Sequence, residues 1–211
     1  MKTELVFILD ASGSMYPFRN DTITNYNKLI SDQRELGNDC TVSTVIFKST
    51  FNFDIDCVSY REHIDNVKML DSNSYYPTGS TPLYDAVCIT MDKIGESLAA
   101  TPEKDRPDNV MVVIITDGEE NSSVRFTSKD VKNRIEHQRT KYSWDFNFIG
   151  TNIEVEEVAQ DIGITFDSAF TYHNSAEGVS AVYASLSKSI NDFSTTGAYS
   201  KVELSDSISN I

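Results

Sequence analysis

The chain predicts a doubly wound α/β fold: a mostly parallel sheet with one antiparallel hairpin strand at its edge and helices on both faces. Three observations carry this. Strand-like and helix-like segments alternate from about Glu4 to about Phe193, and parallel neighbours need crossovers that cover the sheet. Leu5 to Leu9 and Val110 to Ile115 are apolar at every position, as expected of strands buried on both faces. Two further strand segments are separated by only three residues, Lys48, Ser49 and Thr50, and so short a link joins antiparallel strands.

The elements follow in order. After Leu5 to Leu9, Asp21 to Leu36 carries Ile23, Tyr26, Leu29 and Ile30 at helical spacing and closes on Gly37. Thr41 to Phe47 and Phe51 to Val58 form the hairpin. Pro82 opens a helix through Leu83, Val87, Ile94 and Leu98, since proline suits the first helical turn. VMVVIITDG, from Val110, is the most hydrophobic stretch and the candidate central strand. Ser128 to Tyr142 reads as helix, WDFNFIG as strand, Val155 to Ile162 as a short helix and GITFDSAF as strand. The long segment AEGVSAVYASLSKSINDF closes the fold as a helix. The domain is therefore taken as 1–194. Residues 195–211, polar and serine-rich, are expected to form a frayed tail or a weakly docked strand.

Composition narrows the partners. A chain of 211 residues with 39% apolar and 24% charged residues suits one globular domain. A net charge of −14 repels polyphosphate backbones and anionic bilayers, so neither nucleic acid nor membrane is an expected partner. The densest basic stretch, Lys132 to Lys141, has the spacing of a solvated helix face. Cys40, Cys57 and Cys88 read as reduced interior thiols. The first apolar run is too short for a signal peptide or a membrane span. Both features lead to an expected cytoplasmic location.

The chemistry concentrates at strand ends. Asp10 ends the first strand within DASGSM, and Asp117 follows the most hydrophobic strand within ITDGEEN. A third loop, TGSTPLYDA, presents Ser80, Thr81 and Asp85 in a turn loosened by Gly79. Two carboxylates brought together at such a rim need a cation or a proton between them. Every candidate donor, namely Asp10, Ser12, Ser14, Thr81 and Asp117, is an oxygen. Hard oxygens select a hard cation: Mg2+ fits best, with Mn2+ or Ca2+ as substitutes. Asp85 is expected either to bond within its loop or to support the water shell of the metal.

In that order and on those elements, DASGSM, TGSTPLYDA and ITDGEEN resemble the metal-ion-dependent adhesion site of von Willebrand factor type A domains, a Rossmann-like family. The resemblance runs from about Glu4 to about Phe193 and is similar to compact bacterial and phage members. It implies an intact metal site, with Ser12, Ser14 and Thr81 as direct ligands and Asp10 and Asp117 binding directly or through water. It also implies a non-enzymatic protein-binding module whose metal takes an Asp or Glu from a partner protein. By the same resemblance, such intracellular members belong to larger assemblies, some of which include ATPases.

The competing reading is a magnesium-dependent hydrolase or phosphatase of doubly wound fold using Asp10. That chemistry calls for a second carboxylate two residues on and a lysine for the phosphate. Residue 12 is serine, and no glycine-rich phosphate loop with a lysine follows any strand. Plainer readings stand beside the sharp ones. Asp10 and Asp117 could cap helices, Asp54 and Asp56 could line a solvated hairpin face, and Glu119, Glu120 and Asn121 read as a solvated loop. Tyr16, Tyr75, Tyr76 and Tyr84 flank the metal loops, suited equally to partner contact and to packing. His63, His137 and His173 are isolated, with no zinc-like spacing.

Overall fold

The computed structural model describes residues 1–50, 53–117, 120–151, 155–173 and 175–209. In chain order the elements are β1 (Thr3–Asp10), α1 (Arg19–Glu35), β2 (Cys40–Ser49), β3 (Phe53–His63), α2 (Leu83–Ala100), β4 (Asn109–Ile115), α3 (Ser128–Tyr142), β5 (Asp145–Gly150), α4 (Val155–Asp161), β6 (Ala169–Thr171), α5 (Ala176–Thr196) and α6 (Lys201–Ser209). They build one sheet in the order β3-β2-β1-β4-β5-β6. All neighbours are parallel except β3, which runs antiparallel to β2 at the edge. This is the Rossmann-like arrangement expected, and β1 and β4 lie at its centre.

Side-chain alternation along those two strands feeds two cores. Leu5, Phe7 and Leu9 of β1, with Met111, Val113 and Ile115 of β4, meet Tyr26, Leu29 and Ile30 of α1 and Val182, Leu186 and Ile190 of α5. Val6, Ile8, Val112 and Ile114 face the other way, onto Val87, Met91 and Ile94 of α2 and Val131 and Ile135 of α3. Strands sandwiched in this way have no solvated face, which is why both read as continuous apolar runs.

Several expectations need correction. The segment after α5 is neither frayed nor a strand: α6 is helical, and Leu204 and Ile208 insert into the core formed by α1 and α5. These two aliphatic residues, four apart, share one side of the helix. GITFDSAF is a strand only from Ala169; Thr165, Asp167 and Ser168 bond side chain to side chain and curl the chain into a turn first. Cys57 is exposed on the edge strand rather than interior, whereas Cys40 and Cys88 are buried. Pro82 stands just before α2 rather than within it. Phe51 and Asn52, predicted to begin the second hairpin strand, lie outside the described residues.

One buried ion pair had no sequence signal. Glu4, fully buried on β1, accepts from the Arg61 guanidinium Nε, 3.2 Å from each carboxylate oxygen. Arg61 reaches it from β3, across β2, because a bulge interrupts the β2–β3 register there and Arg61 adopts φ 47°. Burial pushes the Glu4 carboxyl up to about 7 despite the guanidinium. Among the described residues, no helix is long and apolar enough to cross a membrane.

Candidate functional site

The sheet order reverses between β1 and β4, and ligands of open α/β sheets settle at the carboxyl ends of strands flanking such a point. Asp10 is the last residue of β1, 1% exposed. Its carboxylate is held from two sides: the Ser12 amide donates to Oδ1 at 2.6 Å and the Thr116 hydroxyl to Oδ2 at 2.6 Å. Thr116 directly follows β4, so the two central strands share this carboxylate.

Beyond Asp10 the chain turns through Gly13–Phe18, a 3-10 helix. The Ser12 and Ser14 hydroxyls lie 3.0 Å apart, and Ser14 donates to Asp117 Oδ1 at 2.7 Å. Asp10, Ser12, Ser14 and Asp117 are thus brought into one hydrogen-bonded set. The capping alternative finds no support here, since no side chain caps this 3-10 helix and both carboxylates are engaged as described.

The third loop docks by its backbone. Gly13 N–H donates to the Gly79 carbonyl at 3.0 Å, and Thr78 N–H to the Ala11 carbonyl at 2.8 Å. Gly79 has φ 76°, and a Cβ there would lie 2.0 Å from the Ser49 carbonyl oxygen, so only glycine permits this approach. Thr81 follows, 2% exposed. Its amide donates to Asn121 Oδ1 at 2.9 Å, and its hydroxyl has no hydrogen-bond partner among the described residues.

Residues after Asp117 turn out to be structural. Asn121 pairs with Thr81 in both directions. The Glu120 carboxylate accepts from the amides of Ser122, Ser123 and Tyr84. Asn121 is exposed, as the solvated-loop reading expects, yet it and the half-buried Glu120 also satisfy backbone groups that would otherwise be orphaned; Glu119 lies outside the described residues. Asp85, fully buried, accepts from the amides of Val124, Arg125 and Phe126 at 2.9–3.3 Å. It bonds across to this loop and fastens it to the start of α2.

Of the tyrosines, Tyr75 is buried and Tyr84 half-buried, whereas Tyr16 and Tyr76 are exposed and meet edge to face at 6.5 Å. The Arg19 guanidinium lies 4.9 Å from the Tyr76 ring centroid. Among the described residues, no three His, Cys, Asp or Glu side chains cluster as a metal site, so any metal here depends on hydroxyls as well as the two carboxylates.

The electrostatics suit a cation. Burial, with the Asp117 charge adding to it, pushes Asp10 up to about 6, although hydrogen bonds from Thr116 and Ser12 act against the rise. Burial also raises Asp117, against the hydrogen bond from Ser14. Two carboxylates at one rim, each made costlier to ionise by burial, with an unpartnered threonine hydroxyl in the docked third loop, fit a hard divalent cation.

The family model for the von Willebrand factor type A domain matches residues 4–183. The chain belongs to that family. Among solved structures, this vWA domain is similar to the pilus adhesin SpaC of Lactobacillus rhamnosus GG in its open conformation, with TM-score 0.63, 15% identity, and 90% of this chain and 30% of that one covered. It is also similar to proximal thread matrix protein 1 of the mussel byssus with a zinc-occupied MIDAS motif, with TM-score 0.61, 16% identity, and 90% and 46% covered. The SpRpn10 VWA domain aligns with TM-score 0.56 and 10% identity over 88% of this chain and 95% of that one. At these identities the likeness is one of fold. The chain spans less than half the length of the adhesin and of the byssus protein. No curated protein sequence matches it.

Proposed function

We propose that this vWA domain is a metal-dependent protein-binding module, in which Asp10, Ser12, Ser14, Thr81 and Asp117 hold a divalent cation that takes an Asp or Glu of a partner protein. The observation that carries the reading is the hydrogen-bonded set joining the ends of β1 and β4 through Asp10, Ser12, Ser14 and Asp117. The cation, Mg2+ by donor chemistry with Mn2+ or Ca2+ as substitutes, supplies a Lewis-acidic centre for an external carboxylate. The protein's part is to orient the donors. Thr116 fixes the Asp10 carboxylate, Gly79 lets the Thr81 loop approach, and Asp85 and Glu120 hold the loop that carries Asn121. Asp85 thus acts on the metal loops through the backbone it fastens. The hydrolase reading gains nothing from this geometry, since the residue two on from Asp10 is Ser12, whose hydroxyl meets Ser14. A cytoplasmic setting within a larger assembly, with or without an ATPase, rests on the family resemblance.

The test is a thermal melt of chelated wild type and Asp117→Ala, titrated with each metal. At about a hundred times its dissociation constant a metal adds about 2.7 kcal/mol, worth roughly 2–4 °C per kcal/mol for this size. A saturable rise in wild type and none in Asp117→Ala is expected. Equal curves for the two proteins would overturn the site. A phosphatase assay that shows turnover lost in Asp10→Asn would overturn the non-enzymatic reading.

A further inference from the structure

At the opposite end of the sheet from the metal loops lies a cavity of about 270 Å³, between the carboxyl-terminal half of α2, the start of β4 and α3. Its apolar walls include Trp144, Leu98 and Val110, which are 5%, 8% and 6% exposed. The indole stacks on Phe146, with ring centroids 6.3 Å apart, which fixes its plane. The Trp144 indole N–H has no hydrogen-bond partner among the described residues. Gln138, at the same cavity, likewise has no side-chain partner among them.

Two opposite charges also line it. Arg106 gives Nε to the Thr101 carbonyl and Nη2 to the Ala99 carbonyl, so its fork is anchored on the end of α2. Among the described residues it has no carboxylate partner, and Nη1 is unspent. Asp108, two residues on, takes only the Lys2 backbone amide, at 2.8 Å. These two side chains face one cavity without forming an ion pair with each other. An anchored guanidinium is preorganised for a carboxylate, a free carboxylate oxygen accepts an ammonium, and an indole and two aliphatic walls take an apolar body.

We infer that this cavity between α2, β4 and α3 binds a free apolar amino acid, its carboxylate on Arg106, its ammonium on Asp108 and its side chain against Trp144, Leu98 and Val110. The site stands apart from the metal loops and does not depend on the proposed function. Trp144 is the only tryptophan in the chain, so its fluorescence reports this cavity alone.

The experiment titrates phenylalanine, leucine, phenylacetate and phenethylamine into the full chain, with Trp144 emission and calorimetry as readouts. The expected result is a saturable response to the two amino acids, with each single-charge analogue at least about tenfold weaker, as loss of one charge-assisted bond implies. Arg106→Lys, which keeps the charge but not the fork, and Asp108→Asn should each weaken phenylalanine by a similar factor while remaining folded at the titration temperature. Chelation and Asp117→Ala should leave the response unchanged. No saturable response up to the millimolar range overturns the inference. So does phenylacetate or phenethylamine binding as well as phenylalanine, or wild-type affinity in both variants.

Discussion

The Tyr75 hydroxyl donates to the main-chain carbonyl of Asp10 at 2.7 Å, and both residues are buried. The side chain of the loop before Thr81 therefore braces the backbone of the residue whose carboxylate heads the metal loops. Tyr75→Phe removes that bond and nothing else of the ring. A loss of about 1–2 kcal/mol in unfolding free energy is expected by denaturant titration, together with weaker metal binding by calorimetry. Tyr76→Phe, at an exposed neighbour, should change neither.

Gly79→Ala tests the close approach of the two loops. The substitution meets both a positive φ and the Ser49 carbonyl oxygen, and Ser49 and Ser80 exchange backbone hydrogen bonds there. A cost of about 3 kcal/mol or more is expected. The calorimetric metal signal should be abolished even where the variant remains folded at low temperature.

Asp85→Ala should orphan the amides of residues 124–126. The expected destabilisation is about 3 kcal/mol, with Asp85→Asn losing less because its amide oxygen still accepts. Hydrogen exchange should show loss of protection at those amides in the alanine variant.

Glu4 gives the fold a pH dependence of its own. Its folded value, about 7, stands above its ordinary value of 4.5. Its contribution is therefore full below pH 4.5 and is lost as pH rises through 7. Wild type should lose about 3 kcal/mol more than Glu4→Gln between pH 4.5 and pH 8, measured by chemical denaturation across that window. Arg61→Ala should steepen the loss, since the carboxylate would then be buried without a partner.

Leu204→Ala and Ile208→Ala test the docking of α6. Each opens a cavity in the core shared with α1 and α5, and a loss of about 2–4 kcal/mol is expected for each. An exposed control on the same helix, Val202→Ala, should be close to neutral.

The central part of the fold was legible because two strands buried on both faces must be apolar throughout, and the crossovers between them must be amphipathic. The candidate site residues were legible for a related reason. A carboxylate ending an apolar strand, as Asp10 does, needs a purpose that local structure does not supply, and Asp117 repeats the pattern. The structure joins Asp10 to Ser12, and Ser12 through Ser14 to Asp117. Thr81 is joined to them only through the backbone of its loop.

What the sequence could not yield depends on contacts between distant residues. That Glu120 and Asn121 hold backbone amides as well as lining a loop depends on which amides lie opposite them, and Thr81 and Tyr84 come from the separate segment that enters α2. The Glu4–Arg61 pair spans three strands and exists because a bulge redirects one side chain. The helix α6 has too few apolar residues to announce itself; only the groove beside α5 gives Leu204 and Ile208 somewhere to be buried. Periodicity and strand-end chemistry are local properties that a chain writes into its order. Hydrogen-bond satisfaction and burial are decided by neighbours, and those exist only once the chain has folded.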